Sequence, residues 1–346
     1  MSMQAIKPTS GGAARSRRGR LFGLSLTTLI VLFVANVIGF ADTATGSVYG
    51  CGHDWPLCNG QLIPSVWSEH TAIEYAHRVS VFAMEILLLV TIICAWRWYG
   101  RHRWLRISIA WMVLGVVLES ILGALAVFAI NPPALMATHM GIALLALGGV
   151  TVMTVESWRT ERGQGWRPER ARKVVEGRDD TGLGRTLYLW SWFALAFSYV
   201  AIYVGSYVAS TGDGASFQGW PLPMESYHAM PHVFVIDVVH RGLALGMLLV
   251  TIRLALLGYR FRAVSRGAAW FTLLSVILVC LQAFSGAWLI LSHLSLPAFL
   301  THVSFSSLLF ADLCAVTALA ANYRVMAPGH EGEPQVLPLF PGRSRS

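Results

Sequence analysis

The chain has 346 residues, of which 55% are hydrophobic and only 13% charged, and it carries a net charge of +8. Its mean hydropathy is +0.57. A soluble domain of this length carries about a quarter charged residues, so the composition excludes an ordinary soluble protein and points to a membrane.

Apolar runs long enough to span a bilayer, about 20 residues each, recur at 21–40, 73–95, 105–129, 134–155, 186–209, 232–257, 267–291 and 297–322. These predict eight transmembrane helices. The first run follows a basic tail but lacks a good small-residue cleavage site, so it is read as a helix and not a signal peptide. Of the 26 Lys and Arg, 24 fall in the N-terminal tail, in the segments near 96–106, 156–185 and 253–266, or in the C-terminal tail. The intervening loops 41–72, 129–133, 210–231 and 292–296 contain none. This alternation predicts cytoplasmic termini and basic loops. It accounts for the positive charge through topology and anionic lipid, without nucleic acid.

The loop 41–72 is thereby expected outside, where disulfides persist. Within "GCGHDWPLCNG", Cys51 and Cys58 are the only cysteines so placed, and a Cys51–Cys58 disulfide is expected. Metal binding is disfavoured, because only His53 and Asp54 stand nearby and no second cysteine pair exists. Whether the pair is structural or redox-cycled stays open. Cys94, Cys280 and Cys314 fall within helices and read as small hydrophobes.

The halves of the chain resemble each other. Trp55-Pro56-Leu57 precedes His77 by 22 residues, and Trp220-Pro221-Leu222 precedes His240 by 20. Gly123 and Gly286 each stand 16 residues before a histidine, His139 and His302, and Glu119 and Gln282 each lie four before that glycine. The expected architecture is therefore an all-α membrane protein of two tandem four-helix bundles related by an internal repeat. Its expected parts are a cytoplasmic tail 1–20, a bundle 21–155, a linker 156–185, a bundle 186–322 and a tail 323–346.

The repeat puts one histidine near the outer start of every even-numbered helix: His77, His139, His240 and His302. A lone interfacial histidine is more often a helix–helix contact, but four at matched depth favour ligation. Paired imidazoles facing each other in a four-helix bundle suit haem iron, whereas two histidines are too few for zinc. His53, His70, His228 and His232 read as loop or cap residues, His102 and His330 as cytoplasmic, and His293 as part of an outer turn. Glu74 lies three residues before His77, and Asp237 three before His240, each on the histidine's helix face. Such a carboxylate can orient an imidazole, act on a substrate or cap the helix. Arg78 and Arg241 are the only bases off the cytoplasmic side; they suit haem propionates, with snorkelling to headgroups as the alternative.

The ordered set of the Cys51–Cys58 loop with "DWPLC", "IEYAHR", "LGALAVF…ATH", "GSYVASTGDGASFQGWPL", "VVHRGLAL" and "SGAWLILS…THVSF" resembles the haem A synthase family across residues 21–322. The resemblance implies oxidation of the C8 methyl group of haem O to a formyl group, giving haem A for terminal cytochrome oxidases. It implies that His240 and His302 hold a resident haem B, that His77 and His139 line the substrate-haem site, and that Glu74 is the carboxylate required for turnover. It further implies supply of haem O by a membrane haem O synthase, and an electron acceptor that the sequence does not name. The sequence admits a homo-oligomer without requiring one. Asp42 stands where many relatives carry a basic residue, Glu119 where Gln is usual, and the second outer loop has no cysteines. Two other classes fit the same histidines: a bis-histidine cytochrome for electron transfer, and a haem exporter or chaperone.

Overall fold

The computed structural model describes residues 20–100, 103–128, 132–162 and 181–323. The two tails and most of the 156–185 linker lie outside them. Eight long helices account for most of the described residues: α1 Arg20–Ala44, α2 Glu69–Tyr99, α3 Arg103–Phe128, α4 Pro133–Glu161, α5 Thr181–Thr211, α6 Pro231–Arg260, α7 Arg266–Leu291 and α8 Leu296–Ala320. Each is long and apolar enough to cross a bilayer, and the chain is a multi-pass membrane protein.

The helices begin where local chemistry allows and mostly overrun the apolar runs that predict them. Ser68 caps α2 by accepting the Thr71 N–H at 3.1 Å, so the helix starts at Glu69, four residues ahead of the apolar run. Ser265 caps α7 through the Ala268 N–H in the same way. Proline opens α4, α6 and α8, where a missing N–H costs nothing and φ is already helical. The start of α1 is covered from another helix. Glu161 at the end of α4 accepts the N–H groups of Leu21 and Phe22, and its charge complements the positive end of the α1 dipole.

Helices α1 to α4 pack in a ring, each on the next and α4 back on α1; α5 to α8 do the same. The rings share a wall in which α4 meets α5 and α8, and α8 also reaches α1. This sets burial. In their most apolar windows α4 is 61% buried and α8 67%, against 28% or less for the other six. Because lipid is as apolar as leucine, close approach and polar pairing join such helices more than hydrophobicity does. Gly148 of α4 faces Cys314 and Phe310 of α8 so closely that a Cβ would lie 2.9 Å from the Cys314 sulfur. Buried hydroxyl pairs tie further seams: Thr28 to Thr91 at 2.7 Å, Ser25 to Ser157 at 3.1 Å, and Ser275 donating to Asp312 at 2.5 Å.

Candidate functional site

His77 and His240 sit eight and nine residues into α2 and α6, and His139 and His302 six into α4 and α8. At 1.5 Å per residue, all four lie about 9–14 Å from their helix starts. Within each ring the histidine-bearing helices are alternate members, so the two imidazoles approach from opposite sides. His77 and His139 are near enough to interact electrostatically, and so are His240 and His302.

The intervening helices answer with glycine. A Cβ on Gly39 of α1 would lie 2.7 Å from His77 Cε1, one on Gly205 of α5 3.1 Å from His240 Cε1, and one on Gly286 of α7 3.2 Å from His302 Cε1. Gly123 of α3 faces His139 more loosely, at 3.8 Å. Each odd-numbered helix thus gives a side-chain-free notch to the imidazole beside it. The spacing of Gly123 and Gly286 is legible in the sequence; Gly39 and Gly205 have no such signal, because their partners lie in another helix.

Ring nitrogens are left available. Nδ1 of His77 and of His240 is buried with no hydrogen-bond partner. His139 Nδ1 lies 3.1 Å from Glu119 Oε2. His302 has more company: Ser285 Oγ lies 3.0 Å from Nδ1, and Gln282 Nε2 lies 3.0 Å from Nε2 while donating to Ser306. Paired imidazoles backed by glycine, two of them with an unpartnered Nδ1, fit a flat macrocycle whose iron takes histidine ligands. No group of three or more His, Cys, Asp or Glu among the described residues could hold a bare metal ion.

Beyond the histidines, both rings close on matching straps. Arg78 donates to Glu74 on its own helix and to the carbonyls of Asp54 and Leu57, at 2.8 and 2.6 Å, in the disulfide loop. The other Glu74 oxygen accepts the Cys51 N–H at 2.6 Å. Arg241 likewise pairs with Asp237 at 2.6–2.7 Å and reaches the carbonyls of Gly219 and Gln218. Glu74, Arg78, Asp237 and Arg241 are thus engaged with one another and with loop backbone. The four-residue spacing of each pair was a readable sign of this contact. Cys51 and Cys58 form a disulfide in a tight loop, and both are buried. Its Gly50 packs on α2, where Thr71 donates to the Gly50 carbonyl.

Asp42, one turn past Gly39 on α1, is 4% exposed, and its Oδ1 has no hydrogen-bond partner. In the second loop, Glu225 is buried and accepts the N–H groups of Gln218 and Met224. The other described histidines keep peripheral places, while His102 and His330 lie outside the described residues. His70 contacts Ser47, His232 contacts Asp213, His53 and His228 pack against Tyr49 and Tyr227, and His293 lies in a turn with φ of 53°.

A family model for a cytochrome oxidase assembly protein, COX15-CtaA, matches residues 23–314. The heme A synthase of Bacillus licheniformis is 29% identical over 306 residues, covering 88% of this chain and 97% of that protein. That of Bacillus pumilus is 28% identical over 305 residues, covering 87% and 95%. The match runs from α1 into α8 and takes in all four histidines, both arginine straps and the disulfide loop; the chain belongs to the COX15-CtaA family of cytochrome oxidase assembly proteins.

Proposed function

We propose that the chain is a haem A synthase, an oxidoreductase that converts the C8 methyl group of haem O to the formyl group of haem A. The observation that carries this reading is the pair of imidazoles in each ring, backed by glycine, with Nδ1 of His77 and of His240 buried and without a hydrogen-bond partner. Relatives named heme A synthase that cover 87% or more of this chain support it over an electron-carrying cytochrome or an exporter.

In this reading the rings are tandem repeats with unequal tasks. His240 and His302 hold a resident haem B, which supplies one-electron transfer. His77 and His139 hold the substrate by its iron and so fix the methyl group relative to the walls of the first ring. A spacing of 163 residues relates His77 to His240, His139 to His302, Glu74 to Asp237 and Arg78 to Arg241, which supports a duplication. The basic-loop pattern supports an orientation with the disulfide loop outside and both termini in the cytoplasm.

Glu74 acts from between Arg78 and the Cys51 N–H, holding the disulfide loop over the substrate and excluding water. Arg78 and Arg241, which already donate to loop carbonyls, would offer the propionates a guanidinium charge at the loop end of each ring. Methyl oxidation releases protons, and Asp42 offers a buried, unpartnered oxygen at the mouth of the first ring. A membrane haem O synthase supplies the substrate, electrons leave to an external acceptor, and pairing of two copies is compatible with the exposed helix faces. Co-expression with a haem O producer, followed by pigment analysis of the membranes, tests the reading. Haem A should appear with the intact chain and vanish with His77→Ala; haem O and haem B alone from the intact chain would refute it.

A further inference from the structure

The two rings differ at one seam. In the second ring α6 packs along α7, whereas in the first α2 and α3 touch only sparsely among the described residues, less than any other neighbours around either ring. That seam brings Ser120 Oγ to 3.3 Å from Glu85 Oε1, while the same hydroxyl lies 2.9 Å from the Val116 carbonyl of its own helix. The positions 163 residues further on are Leu248 and Ala283, and Leu248 packs against the core of the second ring. Polar side chains within a membrane span are costly and usually functional. Elsewhere in this chain they fasten closely packed helices, as Thr28 and Thr91 do. Here the packing around the pair is thin.

The seam also lies in the right place. Ser120 is three residues before Gly123, the residue facing His139, and Glu85 is eight beyond His77, about 12 Å along the helix. Both are on the side of the histidines away from the disulfide loop. The loop end of the ring is covered by backbone that Arg78 and Glu74 hold down. Apolar side chains flank the seam's helices and face outward: Phe82, Ile86 and Leu89 on α2, Val117 and Ile121 on α3.

We propose that the α2–α3 seam is the side passage by which the prenylated haem enters the first ring from the bilayer and leaves it, with Glu85 and Ser120 as the latch across it. The inference rests on the substrate-haem reading of His77 and His139. A flat macrocycle with a long isoprenoid tail is already dissolved in lipid, so a lateral door spares it a crossing of the strapped loop. The resident group of the second ring needs no such door, and there the matching positions are apolar in a closely packed seam.

The full chain in lipid nanodiscs carries the test. Glu85→Cys with Ser120→Cys is joined by a short bifunctional thiol-reactive linker, and each single variant receives the same treatment. Haem O bound over time is measured against haem B already present. The linked protein should load haem O at least tenfold more slowly than the singles while its haem B content stays level. Glu85→Leu with Ser120→Ala removes the latch and should leave loading as fast or faster; slower loading would overturn the latch. Equal loading rates in linked and single variants would overturn the passage, and so would loss of haem B in step with haem O. Loading is read as haem O bound, not haem A formed. Absence of turnover in every variant therefore counts against the reaction alone.

Discussion

Gly205 leaves 3.1 Å between a would-be Cβ and His240 Cε1, so any larger side chain must push the imidazole aside. Gly205→Val is therefore expected to cut haem retained by the second ring at least tenfold, read as pyridine haemochrome per mole of protein. Gly123→Ala, facing its histidine at 3.8 Å, should leave haem content unchanged. Arg78→Ala strips a buried carboxylate of its charged partner, a loss of about 3–5 kcal/mol for buried pairs. It should speed amide exchange across the disulfide loop, and Arg78→Lys should restore little, because one ammonium cannot span Glu74 and two carbonyls. Glu225 adds an acid-sensitive contact to the second loop. Burial pushes its carboxyl up, but its own backbone N–H, Asp237, the Gln218 N–H and the Arg241 charge outweigh this and hold it below its ordinary 4.5. A depressed carboxylate stabilises the fold above its ordinary value and loses that contribution as pH falls through the lowered one. Trp220 fluorescence should thus stay flat from neutral pH down to about 5 and change below 4.5, and Glu225→Gln should abolish the change. The four histidines proposed as ligands were legible because matching segments in the two halves mark them twice. The glycines facing them across the rings were only half legible, since contact between helices leaves no spacing in one strand of sequence.

Among the elements, α4 and α8 carry the shared wall. Gly148→Leu inserts a branched side chain where 2.9 Å separates a Cβ from the Cys314 sulfur, and overpacking of this kind costs about 1–3 kcal/mol. The expected result is a lower thermal midpoint by circular dichroism in detergent. Gly23→Leu on α1, with nothing within 4 Å of its Cβ position, should shift it little. The helices themselves were readable to within a few residues, because twenty-residue apolar runs admit few alternatives. Their true ends were less so. α2 starts at Glu69 because Ser68 caps it, and α4 continues to Glu161 to cover the start of α1. Charged and polar residues outside an apolar window join a helix when a cap or a partner helix satisfies them. The disulfide loop was expected from compartment and cysteine count. Its engagement with Glu74 was not, and closing a loop of this length contributes about 2.5 kcal/mol in chain-entropy terms. Cys51→Ser with Cys58→Ser should therefore loosen loop amides while both histidine pairs still bind haem.

At the scale of the whole molecule, α4 touches α5 and α8, and α8 also touches α1, so neither ring is finished by its own four helices. A chain beginning at Thr181 leaves the faces of α5 and α8 that meet α4 to lipid. Expressed alone, that half should retain haem poorly; co-expression with residues 1–180 should restore it, with pull-down of one half by the other as the check. The likeness of the rings was visible in the sequence, but the difference in closure between α2–α3 and α6–α7 was not, because it depends on how helices lean. Ligand and strap are neighbours on one rod: His77 is followed at once by Arg78, whose donors grip the backbone on either side of Trp55. A small roll of α2 that re-aims the His77 imidazole must tug that indole with it. The exposed rim is thus tied through one residue to the imidazole in the interior, and Trp55 fluorescence should follow its position.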